Sequence, residues 1–487
     1  MRSNCFHRIP HILGALLCSL LLAGPRPALA QQPGAQIQVS INPQQRFQMI
    51  DGFGVNFNGT YFRDAQKPMI DLLIDDLGAT IFRLDPYGLL NWEVVNDDKD
   101  PNVMNWEYYN NCYSSPVFQP SWVLMRYLNS RGIRPLIALY GPVPDWMTDD
   151  KVGPLQQPAS LASLNAKRQN HLSPSMYDEF AEEVVSMLVY ARTQARVDFE
   201  YFSPFNETDA YPNEGPRIDP NEVAKVLEAV AGRLKKEGLG DVRLAPADQA
   251  EPTKDFISPI LKDAELMRQV GALTLHIYRD SDMVTPHVEH IRRSEFPHIP
   301  LWVTEYGELD DLNRTAENEW TGFSVAADRR ALRALNQGAG ALLIWDAFDD
   351  YEDCVKRLCY YGLFHSAGHV YSPKKRYYAA KQLYHFVRPG SQRIAAESNS
   401  PNLTVSAFRN GGPNEVIVVG VKKGGPGHVR VEVPGNQPLP ATWDLYETTR
   451  QLDCVKVDTP AITSGAAEFD LPDEAIFTLV GKVKEQP

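Results

Sequence analysis

Phe199-Glu200-Tyr201-Phe202-Ser203-Pro204-Phe205-Asn206-Glu207 is a short apolar and aromatic run that stops at a proline and then delivers an amide and a carboxylic acid. Residues 199–203 have the length and aromatic content of a buried strand, and Pro204 ends its ladder of hydrogen bonds. A second run of the same design, Leu301-Trp302-Val303-Thr304, leads into Glu305-Tyr306-Gly307. Outward from these two, similar runs recur at Ile50–Phe57, Thr80–Leu84, Arg134–Leu139, Val242–Ala245, Leu273–Ile277 and Ala341–Trp345. Amphipathic stretches separate them: Pro68–Asp76, Trp122–Ser130, Ser175–Arg192, Pro220–Glu237 and Ala326–Gln337. Val223, Val226, Leu227, Val230 and Leu234 recur at helical spacing, so Pro220–Glu237 is predicted to bury one face. Strand–helix alternation with eight strands predicts an α/β fold, a closed (β/α)8 TIM barrel over residues 49–388.

Beyond Pro389 the rhythm changes to strands alone: Leu403–Phe408, Glu415–Val421, Val429–Val433, Thr442–Glu447 and Ile476–Val480, divided by Gly, Pro and Asn turns. Residues 389–487 are therefore expected to form a C-terminal antiparallel β-sandwich. Gln36–Asn42 also alternates, so residues 31–48 are expected to supply an N-terminal strand that pairs with that sandwich. Residues 1–30 read as a signal peptide, with Arg2 and Arg8 before an apolar stretch Ile12–Gly24 and Ala28-Leu29-Ala30 at the end. Secretion, to the periplasm or the medium, is the expectation.

Composition narrows the function. Of 487 residues 43% are hydrophobic and 22% charged, enough for a large core and unlike a disordered chain. The net charge is −13, and removal of three arginines with the leader leaves 45 basic against 61 acidic side chains, −16. Such a surface repels nucleic acid and anionic membranes, and no later segment is apolar enough for membrane insertion. The mature cysteines Cys112, Cys354, Cys359 and Cys454 are open to disulfide formation, with Cys354 and Cys359 close enough in sequence to clip one loop. No CxxC pair, HExxH or His/Cys cluster occurs, so no metal and no other cofactor is expected.

Barrel enzymes carry their chemistry at the C-terminal ends of the strands, so Glu207 after strand four and Glu305 after strand seven face each other across the mouth. Two carboxyls placed that way can flank a glycosidic bond. Asp209, Glu214, Glu308 and Asp346 lie past strand ends or lack this local pattern and read as loop charges. Trp146 and Trp345, after strands three and eight, offer flat faces for sugar rings, with ordinary core packing as the competing reading. Asn56, Asp85 and Asp248 end strands one, two and five, where they would contact sugar hydroxyls or cap turns.

Asn206-Glu207 and Glu305 at these strand ends resemble the retaining glycoside hydrolases of clan A. Within the clan the chain is most similar to family 30: Phe47-Gln48-Met49-Ile50-Asp51-Gly52-Phe53-Gly54 resembles that family's opening segment, and Pro144-Asp145-Trp146-Met147 its motif after strand three. The resemblance implies that Glu207 is the acid/base and Glu305 the nucleophile, with carboxyls ~5–5.5 Å apart. It also implies that Arg83 lies beside the nucleophile and that His276 and Tyr278 form a polar pair near it. Strand alternation sends those two side chains to one face. Asn206 is expected to bond the sugar 2-hydroxyl. The implied substrate is a neutral or substituted β-linked polysaccharide of xylan, β-1,6-glucan or β-1,6-galactan type, met by a monomeric enzyme. The inserts Asn91–Pro120 and Thr148–Pro174, rich in aromatic and polar residues, would build a cleft for a polymer or close a pocket around one terminal sugar. An exo-acting β-glycosidase is the alternative among enzymes, and a catalytically inactive glycan-binding protein is the alternative of another class.

Overall fold

The computed structural model of the protein describes residues 36–88, 90–149, 169–211, 214–309, 315–349, 360–411, 415–433, 440, 442–463 and 465–482. The leader, Cys354, Cys359 and most of the Thr148–Pro174 insert lie outside these residues.

Eight parallel strands form one sheet: β2 (Gly52–Asn58), β3 (Ile81–Asp85), β4 (Leu136–Ala138), β5 (Tyr201–Ser203), β6 (Arg243–Leu244), β7 (Leu273–Ile277), β8 (Leu301–Tyr306) and β9 (Ala341–Ile344). Each falls in or overlaps a run predicted from sequence. They lie in the order β6-β5-β4-β3-β2-β9-β8-β7, and parallel bridges Leu244↔Val270 and Gln249↔Leu275 close β6 onto β7. The sheet is thus a barrel, its strands buried on both faces, which is why they read as continuous apolar runs. Helices cover it outside; Val223–Lys236 buries Val223, Val226, Leu227, Val230 and Leu234, and Ala326–Gln337 ends on Gly338 at φ +112, a left-handed cap that favours glycine.

The second sheet has ten strands, led by β1 (Ile37–Met49), followed after the hairpin β10 (Phe364–Ala367) and β11 (Val370–Pro373) by β12 (Gln392–Ser398), β13 (Leu403–Arg409), β14 (Glu415–Lys422), β15 (Gly427–Glu432), β16 (Thr442–Thr448), β17 (Val455–Asp458), β18 (Ile462–Thr463), β19 (Ala466–Leu471) and β20 (Ala475–Lys482). The N-terminal strand runs to Met49, longer than the alternation of Gln36–Asn42 predicted, pairing antiparallel with β12 and parallel with β15. Phe469 of β19 and Phe477 of β20 lie six places apart in the sheet order, yet their rings sit 5.4 Å apart, because the sheet folds over its own core as a sandwich.

The sandwich also packs on the barrel. Along β14, Val416 and Val418 enter the sandwich core while Ile417, Val419 and Val421 join the barrel core, the two-residue period serving two interiors at once. Polar contacts reinforce the seam: Gln382 Nε2–H donates to Thr448 Oγ1 at 2.9 Å and Asn336 Nδ2–H to the Val405 carbonyl at 2.9 Å. The Asn91–Pro120 insert corrects an expectation. Its helix Trp106–Tyr113 turns Tyr109 and Tyr113 fully inward, stacked 5.7 Å apart, and Trp92 and Phe118 pack with them, so these aromatics build core rather than cleft.

Candidate active site

The ends of β3, β5, β7 and β8 converge on one cluster whose centre is Arg83, 0% exposed. Nη1–H of Arg83 donates to Glu305 Oε1 at 2.6 Å, to Asn56 Oδ1 at 2.9 Å and to the Tyr140 hydroxyl; Nη2–H donates to Asn206 Oδ1 at 2.7 Å and Asp248 Oδ2 at 2.9 Å. The planar guanidinium fork lets one side chain orient groups from five other strand ends. The Tyr278 hydroxyl donates to Glu305 Oε2 at 2.6 Å, and His276 Nδ1 lies 2.6 Å from Glu207 Oε1 and 3.6 Å from Glu305 Oε2. Two residues apart at the C-terminal end of β7, His276 and Tyr278, the latter just past the strand, reach the same pair, as strand alternation requires.

Local backbone features aim the two glutamates. Between β7 and β8 the register skips one residue: Leu275 pairs with Val303, His276 with Glu305. Thr304 is the extra residue, and a bulge of this kind turns a strand's side chains out of simple alternation. Thr304 Oγ1–H donates to Asp248 while Glu305 turns into the mouth and Tyr306 points away to Tyr384, 3.0 Å from its hydroxyl. Glu207 adopts φ +30, a left-handed conformation that a glutamate enters only under constraint from its surroundings. Its N–H donates to the Asp248 carbonyl at 2.9 Å, and Gly215 packs so tightly beneath that a Cβ there would fall 1.7 Å from the Asn206 carbonyl oxygen.

The result is a charge arrangement of three carboxyls and two cations. Burial pushes Glu305 above the ordinary glutamate value, while His276 and Arg83 pull it down. Burial would by itself lower His276, but Glu305, Asp248 and Glu207 raise it from 6.5 to about 10, so the ring is an imidazolium near neutrality. Burial would raise Asp248, yet Arg83 and His276 hold it well below the usual carboxylate range. One carboxylate oxygen from each of Glu207 and Glu305 and a ring nitrogen of His276 all lie within 4.8 Å of one another. His171, Asp219 and Glu222 form a second such group, and its members also bond one another: His171 Nε2 sits 3.0 Å from Glu222 Oε2.

The remaining predicted residues fall in different places. Asn206 is buried, its Nδ2–H donating to the Glu214 carbonyl at 3.2 Å. Trp345 is half-buried, its ring edge-on to Tyr140 at 6.1 Å, and Trp146 is half-buried with Nε1–H on the Glu93 carbonyl at 2.8 Å. Asn56 and Asp248 are 0% exposed with side chains committed to the protein: Asn56 Nδ2–H to the Thr304 carbonyl at 2.9 Å, Asp248 to Arg83, Ser203 and Thr304. They underlie the site rather than offering hydroxyl contacts. Asp85 accepts the Tyr87 N–H at 3.0 Å, the turn-capping alternative. Of the four residues read as loop charges, Asp209 brackets the Ala250 and Glu251 N–H groups and Glu308 pairs with Arg330. Glu214 differs: the residue is exposed, yet partial desolvation of its carboxyl and the charges of Glu207 and Glu305 raise it to about 7, which places it near the mouth. Tyr140 and Ser203 were not singled out from sequence, although both stand at strand ends where the same rule applies. Among the described residues Cys112 and Cys454 are free thiols, and no helix is long and apolar enough to cross a membrane.

Comparison with known proteins gives this geometry a context. Residues 173–381, from the fourth barrel strand's preceding helix to the last barrel helix, match the family described as glycosyl hydrolase catalytic core. A glucuronoxylanase from Bacillus subtilis is 24% identical over 252 residues, 52% of this chain and 53% of the relative, so the chain spans about half the length of the curated relative it matches. Among solved structures, an endoxylanase of glycoside hydrolase family 30 from Clostridium papyrosolvens superposes with a TM-score of 0.69 at 21% identity, covering 92% of this chain and 100% of that one. An endo-β1,6-glucanase superposes with a TM-score of 0.64 at 16% identity, covering 92% and 94%. At these identities the shared property is the fold, barrel and sandwich together.

Proposed function

We infer that this chain, a clan A glycoside hydrolase similar to family 30, is an exported retaining enzyme that cleaves β-glycosidic bonds in a polysaccharide of xylan or β-1,6-glucan type. Export rests on the leader-like residues 1–30, and the substrate class on what the similar proteins are named for. The observation that carries the chemistry is the spacing of Glu207 and Glu305, whose nearest carboxylate oxygens lie within 4.8 Å. A retaining pair needs ~5–5.5 Å, whereas an inverting pair needs ~6.5–9.5 Å to admit water.

The two acids have unequal surroundings, and that inequality supports the roles proposed for them. Glu305 accepts hydrogen bonds on both oxygens, from Arg83 and from Tyr278, which favour its ionised form for attack on the anomeric carbon. Glu207 gives its proton to the departing glycosidic oxygen as the C–O bond breaks and the Glu305–sugar ester forms. Water then enters, loses a proton to Glu207, and displaces Glu305 from the anomeric carbon, restoring both groups and the β configuration. Asn206, oriented by Arg83, has an amide beside the pair to bond a sugar hydroxyl.

The test is product release from xylan, β-1,6-glucan and β-1,6-galactan by the parent, Glu207→Gln and Glu305→Gln, with the anomer of the first product followed by proton NMR. Initial β product from the parent, with losses of at least about 100-fold in Glu207→Gln, is expected. Initial α product, or turnover surviving in either variant, refutes the assignment. A parent that binds one glycan without cleaving it is instead a glycan-binding protein.

A further inference from the structure

Asp248 lies four residues past β6, the fifth barrel strand, and is 0% exposed. Its Oδ2 accepts from Arg83 Nη2 at 2.9 Å and from the Ser203 hydroxyl at 2.6 Å; its Oδ1 accepts from Thr304 and lies 3.6 Å from His276 Nε2. Its backbone N–H donates to Thr274 Oγ1 at 2.8 Å and its carbonyl accepts the Glu207 N–H at 2.9 Å. It holds φ +47, a conformation aspartate tolerates and most side chains do not. The two cations it faces each go on to one glutamate: Arg83 to Glu305 at 2.6 Å, His276 to Glu207 at 2.6 Å.

We propose that Asp248 is the positioning residue of the site, a buried anion that aims Arg83 at the nucleophile and holds the imidazolium of His276 against the acid/base. The inference rests on the retaining reading above and deepens it. The reason is charge balance. Glu305 and Asp248 as anions offset Arg83 and His276 as cations, so these four groups together leave a neutral surrounding for Glu207. Remove the charge of Asp248 and the cluster gains a net positive charge in a region with little water, where each remaining proton is held less tightly. Other titratable groups cannot take its place. Tyr140 and Tyr278 are phenols that burial keeps protonated, and Glu214 lies on the side of Glu207 and Glu305. His276 Nε2 makes no hydrogen bond, and the Asp248 carboxylate, 3.6 Å away, is the anion that faces it.

Asp248→Asn removes the charge and conserves the shape. Two readouts on the full chain test the proposal: the pH profile of kcat/KM, and NMR of ring-labelled histidine, with the His276 signal identified by its loss in His276→Asn. In the parent the His276 ring is expected to remain an imidazolium through pH 8. In Asp248→Asn it should lose its proton at lower pH than in the parent, and both limbs of the pH profile should move to lower pH, the basic limb by about one unit. A folded Asp248→Asn with lowered kcat but unmoved limbs and an unchanged His276 titration makes Asp248 a structural anchor only and overturns the proposal. So does a neutral His276 in the parent at pH 8, a measurement that decides even where the variant does not fold. Because the histidine readout needs no turnover, failure of the enzyme reading and failure of this one are separable.

Discussion

Tyr278→Phe tests the assignment of the nucleophile by removing one oxygen atom. The Tyr278 hydroxyl donates to Glu305 Oε2 at 2.6 Å, a charge-assisted bond onto a carboxylate that is 5% exposed. Bonds of this kind contribute about 1.5–3 kcal/mol. The low end applies here, because Arg83 stays on Oε1 at 2.6 Å and His276 Nδ1 stays 3.6 Å from Oε2, so the carboxylate keeps two cations. At about 1.4 kcal/mol per unit, loss of the phenol raises the Glu305 pKa by about one unit. The sign follows from the donor serving the ionised form: burial already pushes Glu305 upward, and losing the donor pushes it further. The acid limb of the kcat/KM profile therefore moves to higher pH, and activity one unit below the parent's limb falls by about tenfold, with the alkaline limb little changed. This is the opposite direction from Asp248→Asn, so the two variants cross-check each other. Initial rates across pH 4–9 on a soluble β-glycan, with thermal melts to establish folding, make the measurement. A folded Tyr278→Phe whose acid limb stays within about 0.3 unit of the parent refutes the placement of that charge on Glu305.

Gly215→Ala should cost turnover by about 100-fold and lower the melting temperature, because the new Cβ would meet the backbone carbonyl of Asn206 at 1.7 Å and displace the Asn206–Glu207 segment. Parent-like turnover from Gly215→Ala would show that this backbone gives way freely. Away from the mouth, burial and the charges of Asp97 and Glu179 raise Glu93 from 4.5 to about 7, against the lowering effect of the Asp97 N–H and the Tyr109 hydroxyl. The folded protein therefore keeps a proton that the unfolded chain has lost, and stability falls as pH rises from 4.5 toward 7, by up to about 3 kcal/mol. Glu93→Gln should flatten that decline in urea unfolding at pH 5 and pH 8; an identical slope in parent and variant would refute the account.

How much was legible in the chain follows from which signals are local. The barrel strands, buried on both faces, announce themselves as unbroken apolar runs, and helix Ala326–Gln337 begins and ends at its predicted residues. The sandwich was harder. Gln392–Ser398 and Ala466–Leu471 are strands although they are rich in alanine and polar residues, because pairing with β1, β13 and β15 supplies what their own propensity lacks. The aromatics of Trp106–Tyr113 looked like a sugar-facing surface, and only their helical phase against Trp92, Phe118 and Tyr190 turned them inward.

The sequence by itself determined the βα rhythm and the two strand ends that carry Glu207 and Glu305, because each is written in a run of a few residues, while the polar company of Arg83, His276 and Tyr278 was implied by the resemblance to family 30. Tertiary structure decided what those groups do to one another. A skipped register at Thr304, left-handed backbone at Glu207 and Asp248, and closure of β6 onto β7 bring residues 83, 207, 248, 276 and 305 into one buried cluster. Their charges matter to each other only there, since electrostatic coupling depends on distance and on the exclusion of water, and neither is a property of position along the chain.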